Sequence, residues 1–580
     1  MANRFWVPVA GAGTGTWDAT DTSHWSATTG GAGGASAPTI ADVAIIDALS
    51  IPVASSITIA AGAACASCVW TPTLSAAISL TIVLAANFNA GSSLKYLGSS
   101  AAFRLFIQSS PVLTQRTLTA AFIDPASDFT DFMGINAAGA AAPFNVGTII
   151  GDGLGNSNIS FTPSATQYWR TPTTGSKQYN VAANWFLGTN GTGGAGRVPL
   201  PQDDVVFDAN SIGATGTTLF MSVPRLGRSI TISGVQNNPS WNIWNSATGI
   251  YGSLFCDGSV TPVGAILYSF YARTPVVITP GPLLMSAVNL IANTTYTLGG
   301  ALTCSLTFGS GAVANVATCN TAGYSLTAGA VSSAAINAGT SVITITGTSF
   351  NPGSNSVLDA CTIKFTDASS TIKAFTGQSK AYNIVQLSGA GSGSFDILGN
   401  NSIANLVIDN LPKNVRVTAG STTTLGNVTV PPYNPADVKF VRFGTATATL
   451  STPDQLALQL VDEIEIAVRY DLAVEHGTYS VLVGKTVFNV SGYRLGINAS
   501  QLLLQMFRAG TSIGPQGPSG TFVDKHWVKA YFKRDTGSGQ YVVRYYYSTQ
   551  TVFDEASVVW THWGADFTGA SAAVVANTGS

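Results

Sequence analysis

The stretch "CTIKFTDASSTIKAF" (Cys361–Phe375) and its continuation "NIVQLSGAGSGSFDILGNNSIANLVIDN" (Asn383–Asn410) decide the fold. Apolar and polar residues alternate for three to five positions, and Gly, Asn or Ser clusters then break the run. That is the pattern of short, half-buried strands joined by tight turns. Upstream, "CSLTFGSG" (304–311), "YSLTAGAV" (324–331) and "SVITITGTSF" (341–350) restate it about every 20 residues. No twelve-residue window carries an apolar stripe of helical period, "ATLSTPDQLALQLVDE" (448–463) coming nearest. The chain is therefore expected to be all-β, built of tandem β-solenoid or β-sandwich modules. In a solenoid each rung is stabilised by its neighbours, and a low charge count suits stacked faces on which like charges would repel.

Further outward, one passage occurs twice. "FWVPVAGAGTGTWDATDTSHWSATTGGAGGASAPTIADVAIIDALS" (5–50) aligns with the region that ends in "RVPLPQDDVVFDANS" (197–211). Trp6 matches Trp169, Trp25 matches Trp185, Asp42 matches Asp203 and Asp47 matches Asp208. A repeat this long marks duplicated modules rather than single rungs. Because a solenoid's open end needs a cover, the Trp-rich passage is read as a cap. The expected modules are 1–164 and 165–432, each with its own lid. The twice-occurring aspartates are assigned to turn or cap hydrogen bonding.

Composition narrows the function. The chain has 580 residues, 46% hydrophobic and only 9% charged, with a net charge of −2. This excludes a disordered polyelectrolyte and offers no electrostatic case for nucleic acid or an anionic membrane. The longest apolar run, Ala76–Phe88, is too short to span a bilayer. No signal peptide opens the chain, so synthesis in a cytoplasm is expected. Residues 1–432 hold 31 of the 54 charged residues and no glutamate, whereas 433–580 hold 23 and all four glutamates. That shift, beside Pro431, Pro432 and Pro435, sets off a third region at 433–580.

Signals for chemistry are few. His24, His476, His526 and His562 lack a nucleophile or carboxylate at motif spacing, and no catalytic residues, metal or cofactor are assigned. Asp124, Asp128 and Asp131 in "FIDPASDFTDFMG" are the nearest approach to paired glycosidase carboxylates, though such acids more often belong to a solvated loop or a helix cap. "CASC" (65–68) has zinc-ligand spacing without a second pair, and two thiols of a CxxC in a strand would point to opposite faces. Small buried cysteines are expected, ahead of a metal site or a disulfide. "GPQGPSG" (514–520) is read as a hairpin loop. "YVVRYYYSTQ" (541–550) places Tyr541, Val543, Tyr545 and Tyr547 on one strand face. With Trp527, Trp560 and Trp563 it is either sandwich core and protein interface or a surface on which sugars stack.

These passages resemble a family. "NRFWV", "GTGTWDATDTSHWSATTGGAGGAS", "PLPQDDVVFDANS" and the 362–410 strands are similar to modules of tailed-bacteriophage virion proteins, of tail or tail-fibre type. Residues 433–580 resemble the concanavalin-like (laminin-G type) jelly roll appended to many phage tail proteins. The matching segments are Ile464–Val468, Val483–Lys485, Tyr493–Ile497 and Trp527–Phe532. This copy is expected to be incomplete, reshaped or continued by further residues. The resemblance implies a non-enzymatic structural component of a virion, assembled in the host cytoplasm, with a lectin-like C-terminal domain. Implied partners are further copies of the chain in a homotrimer, other virion proteins and host cell-surface glycan. A polysaccharide depolymerase tailspike and a capsid-decorating or connector protein are the alternatives.

Overall fold

A computed structural model describes residues 1–243, 247–310, 317–389, 393–409, 414–417 and 422–429. Beyond these it describes the backbone of strands between Phe440 and Ala570. The chain divides into two compact units, Met1–Thr429 with Val441–Ser451, and Val430–Phe440 with Thr452–Ser580. The fold is nearly all β, with about 1% helix and about 16 solenoid turns in all.

The first unit holds two solenoids with separate cores, one from Trp6 to Ile150 and one from Trp169 to Leu425. Alternation within each strand sends every second side chain inward, and parallel in-register pairing then stacks like on like. In the first solenoid Ile57, Ile82, Ile107 and Phe132 occupy successive rungs of one face, all fully buried. In the second, Val205, Ile230, Leu254, Ile278 and Leu298 do the same. Each such side chain removed from water contributes about 1.5–3 kcal/mol. Stability is thus spread along the ladder rather than held in one rung.

The second solenoid changes cross-section along its length. Its early rungs use three short strands, such as Asp204–Phe207, Thr217–Met221 and Arg225–Gly227. Later rungs merge two faces into long strands, Leu302–Ser310, Leu326–Ser332 and Val342–Asn351, whose pairings shift register partway along. Beyond Val342–Asn351 the ladder splits again, Thr362–Phe365 continuing one half and Lys373–Thr376 the other. Outside, asparagines stack, the Asn427 amide donating to Asn405 Oδ1 at 2.9 Å. The ladder runs on to Thr449–Ser451, which pairs with Thr422–Thr429. That strand lies beyond residue 432, where the shift in charge placed the boundary.

The second unit is antiparallel instead. Glu463–Arg469, Trp527–Asp535, Gln540–Ser548 and Thr561–His562 form one sheet, with Phe567–Ala570 also on Gln540–Ser548. Tyr479–Val487, Ser491–Asn498, Gln501–Arg508 and Thr511–Ile513 form the other. Gln516–Ser519 is a short strand paired with Gln501–Arg508, not part of a hairpin loop. Of the near-helical stretch 448–463, Thr449–Ser451 and Glu463 lie in strands and the rest lies outside the described residues.

Candidate functional site

Two features bring the singled-out residues together: a pair of aromatic caps and the junction between the solenoids. In each cap a first strand starts the parallel ladder, and a two-residue strand returns antiparallel on its outer edge. Trp25–Ser26 covers Asn3–Trp6, and Trp185–Phe186 covers Thr166–Trp169. This return strand closes the edge that an open ladder would expose. The tryptophans meet edge to face, Trp6 with Trp25 at 5.2 Å and Trp169 with Trp185 at 4.9 Å between ring centroids. Sequence matching missed the third ring of each cage. Trp17 lies 5.1 Å from Trp25, and Tyr179 lies 4.7 Å from Trp185, both at 70°. The span between the matched tryptophans is three residues shorter in the second cap, one before the third ring and two after it, which hides that correspondence.

The matched aspartates make matching bonds. Asp47 Oδ1 accepts from the Leu49 N–H, and Asp208 Oδ1 accepts from the Asn210 N–H, at 2.9 and 2.8 Å. The hydroxyls of Ser50 and Ser211 receive the N–H of Asp47 and Asp208. Thr29 and Thr189, on the Gly-rich loops, donate to Oδ2 at 2.5 Å in both. Asp42 accepts from the Ala2 and Thr39 N–H groups, and Asp203 from Ala165 and Leu200. Each therefore ties the start of its cap strand to the turn before the next rung. Donation by the Thr39 hydroxyl, the largest contribution, holds the Asp42 carboxyl below the usual carboxylate range. At Asp203 the guanidinium of Arg197 takes that hydroxyl's place, at 2.6 and 2.9 Å.

Among the described residues no strand ladder passes from the first solenoid to the second. Instead their side faces dock. Arg104, Phe106, Asp131 and Met133 point outward from the strands Leu105–Ser109 and Thr130–Met133 and the residue before them. They meet Arg225, Tyr251 and Tyr271 of the second solenoid. Asp131 is fully buried between Arg104 Nε at 2.8 Å and Arg225 Nε at 2.5 Å. Three further bonds tie the guanidinium groups to backbone: Arg104 donates to Ala101 O and Pro199 O, and Arg225 to Arg104 O. The Arg225 guanidinium lies 4.6 Å from the Phe106 ring centre. Gln202 adds a second clasp, accepting from the Asp152 N–H and donating to the Ile150 and Thr162 carbonyls. Gly151 admits no side chain here, since a methyl would overlap Asp131 and Pro201.

Asp131 is thus a buried partner in an ion network rather than a group in a solvated loop. Asp128 accepts from the Thr148 and Ile149 N–H groups, and Asp124 caps a turn through the Ala126 N–H. His24 stacks on Trp6 at 4.5 Å and pairs with Asp21. Cys65 and Cys68 also differ from expectation. Their thiols meet, 2.7 Å apart, because Cys65 sits on the turn before the strand Ser67–Trp70, where strand alternation does not apply. All six cysteines are buried. No group of three or more potential metal-ligating side chains occurs among the described residues.

In the antiparallel unit only strand pairing is described. Tyr545 lies opposite Ala530, Tyr547 opposite Val528 and Tyr541 opposite Arg534, whereas Trp527 lies opposite Ser548, one residue out of phase. Trp560 and Trp563 lie outside the described residues, as do His476 and His526. Comparison with known protein families, curated proteins and solved structures found no match.

Proposed function

We propose that the chain is a non-enzymatic structural component of a bacteriophage virion, associated with the tail or a tail fibre. Its C-terminal unit would act as a lectin-like module that contacts host-surface glycan or a neighbouring virion protein. The reading rests on the resemblance of the Trp-rich passages and the C-terminal strands to such proteins. The observation that supports it is the docking of two solenoids through a largely buried face centred on Asp131. Such a junction couples the two modules, as a rigid shaft requires. Outward faces rich in Thr, Ser and Asn can be buried between copies at little desolvation cost, which supports a homotrimer.

The test is to locate the chain in purified particles with a labelled antibody, and to incubate it with host cells and purified surface polysaccharide. The proposal predicts label on the tail and saturable binding without shortening of the glycan. Label on the capsid would favour a decorating or connector protein. Progressive shortening of the glycan would favour a depolymerase and overturn the non-enzymatic role.

A further inference from the structure

We propose that Cys65 and Cys68 are a dithiol site that closes to a disulfide when the chain meets a disulfide oxidant such as oxidised glutathione. The other four cysteines stay reduced. The inference does not depend on the role proposed above.

The geometry is already assembled. Cys68 points into the core from the strand Ser67–Trp70, stacked in register between Ala44 and Leu94. Cys65 reaches the same point from the preceding turn, so the two sulfurs are in contact at 2.7 Å. The ladder holds that turn on both sides. The Ala66 N–H donates to Asp42 O in the rung before, and the Ser92 N–H donates to Ala66 O from the rung after, both at 2.7 Å. Gly91 adopts φ +72° directly against the carbonyls of Ala66 and Cys65, where a side chain would collide. Bringing two sulfurs together is ordinarily the entropic obstacle to a bridge, and here the fold has already overcome it.

The remaining thiols are placed differently. Cys319 stacks between Tyr296 and Ile336, and Cys304 between Met285 and Ala328. Cys361 donates to its own turn at Leu358 O, and Cys256 follows Ile232 in its row. Among the described residues no second thiol–thiol contact is found.

The exchange balances. Cys65, having lost its proton to water, attacks one sulfur of the oxidant. The oxidant's S–S bond breaks, a mixed disulfide forms, and the first glutathione leaves as a thiolate that takes up a proton. Cys68 then loses its proton and attacks Cys65 Sγ, which forms the internal bridge and expels the second glutathione. Two protein thiols are oxidised, and one disulfide is reduced to two thiols. Burial, the largest cause, pushes the Cys68 thiol well above its ordinary value. Closure is therefore slow at neutral pH and quickens by up to about tenfold per pH unit as the thiolate fraction grows.

The test uses the full chain, both native and refolded from denaturant through a glutathione redox buffer, so that access to the buried pair cannot limit the outcome. Alkylation after denaturation and peptide mass mapping then count free thiols. The expected result is four alkylated cysteines and a bridge mapped to Cys65–Cys68. In Cys65→Ser and Cys68→Ser, five alkylated cysteines should remain. Six alkylated cysteines after oxidative refolding, or a bridge mapped to any other pair, would overturn the proposal.

Discussion

The loop before the first full rung occurs in both modules, yet it meets solvent in one and protein in the other. In the first module Thr39, Ile40 and Ala41 are exposed, Ile40 at 82%. Their counterparts Leu200, Pro201 and Gln202 are buried, Pro201 and Gln202 against the last rung of the first solenoid. The turn itself does not differ: Asp42 and Asp203 receive equivalent backbone N–H groups. Duplication has therefore preserved the cap as a folding device, while a few substitutions turned its outer side into a docking face. Arg225 makes the same point, since the corresponding stretch of the first module is Gly62–Ala64 and carries no charge.

This comparison can be broken most forcefully at Asp131. Asp131→Ala leaves Arg104 and Arg225 facing each other without their carboxylate, and loss of one partner of a buried pair costs about 3–5 kcal/mol. Urea unfolding of the full chain should show that loss, with the two solenoids melting in separate steps. Gly151→Ala attacks the same contact sterically and should cost about 1–3 kcal/mol, read in the same titration. Asp208→Ala and Asp47→Ala should each cost about 1–2 kcal/mol, as losses of turn-capping bonds do. Similar values would confirm that the caps are equivalent devices. Ile40→Ser, at the exposed counterpart of Pro201, should stay within about 0.5 kcal/mol.

Acid should weaken the first cap more gently. Asp42 titrates below its ordinary value in the folded chain, so its contribution is present above about pH 4 and is lost as the pH falls through the lowered value. Thermal melts at descending pH should show the first cap weakening, and Thr39→Ala should move the onset to higher pH.

Much of the architecture was legible in the residues. Alternation in "TIKF" and "IVQL", with breaks at Gly and Asn, encodes inward rows and turns directly, because a strand's period of two maps sequence onto space. The Trp-rich passage was legible as a repeated unit since its residues lie close together in the chain. The junction was not. Arg104, Asp131 and Arg225 are scattered over 121 residues, and each alone resembles an ordinary surface charge; only the docking of two outward faces makes them one network. Asp131 was even noticed for the wrong reason, as a neighbour of Asp124 and Asp128 in the chain. The Cys65–Cys68 contact escaped for a local reason, because the alternation rule was applied one turn too early.

The most direct test of the account is native-state hydrogen exchange on the full chain beside Asp131→Ala. The account predicts slow exchange at 104–108, 130–133, 225–227 and 249–251 in the parent chain. In the variant those segments should lose protection while the inner rows around Ile82 and Leu254 keep theirs. Rapid exchange at those segments in the parent chain, or no change on removing the carboxylate, would contradict the claim that a buried ion network makes the two solenoids one body.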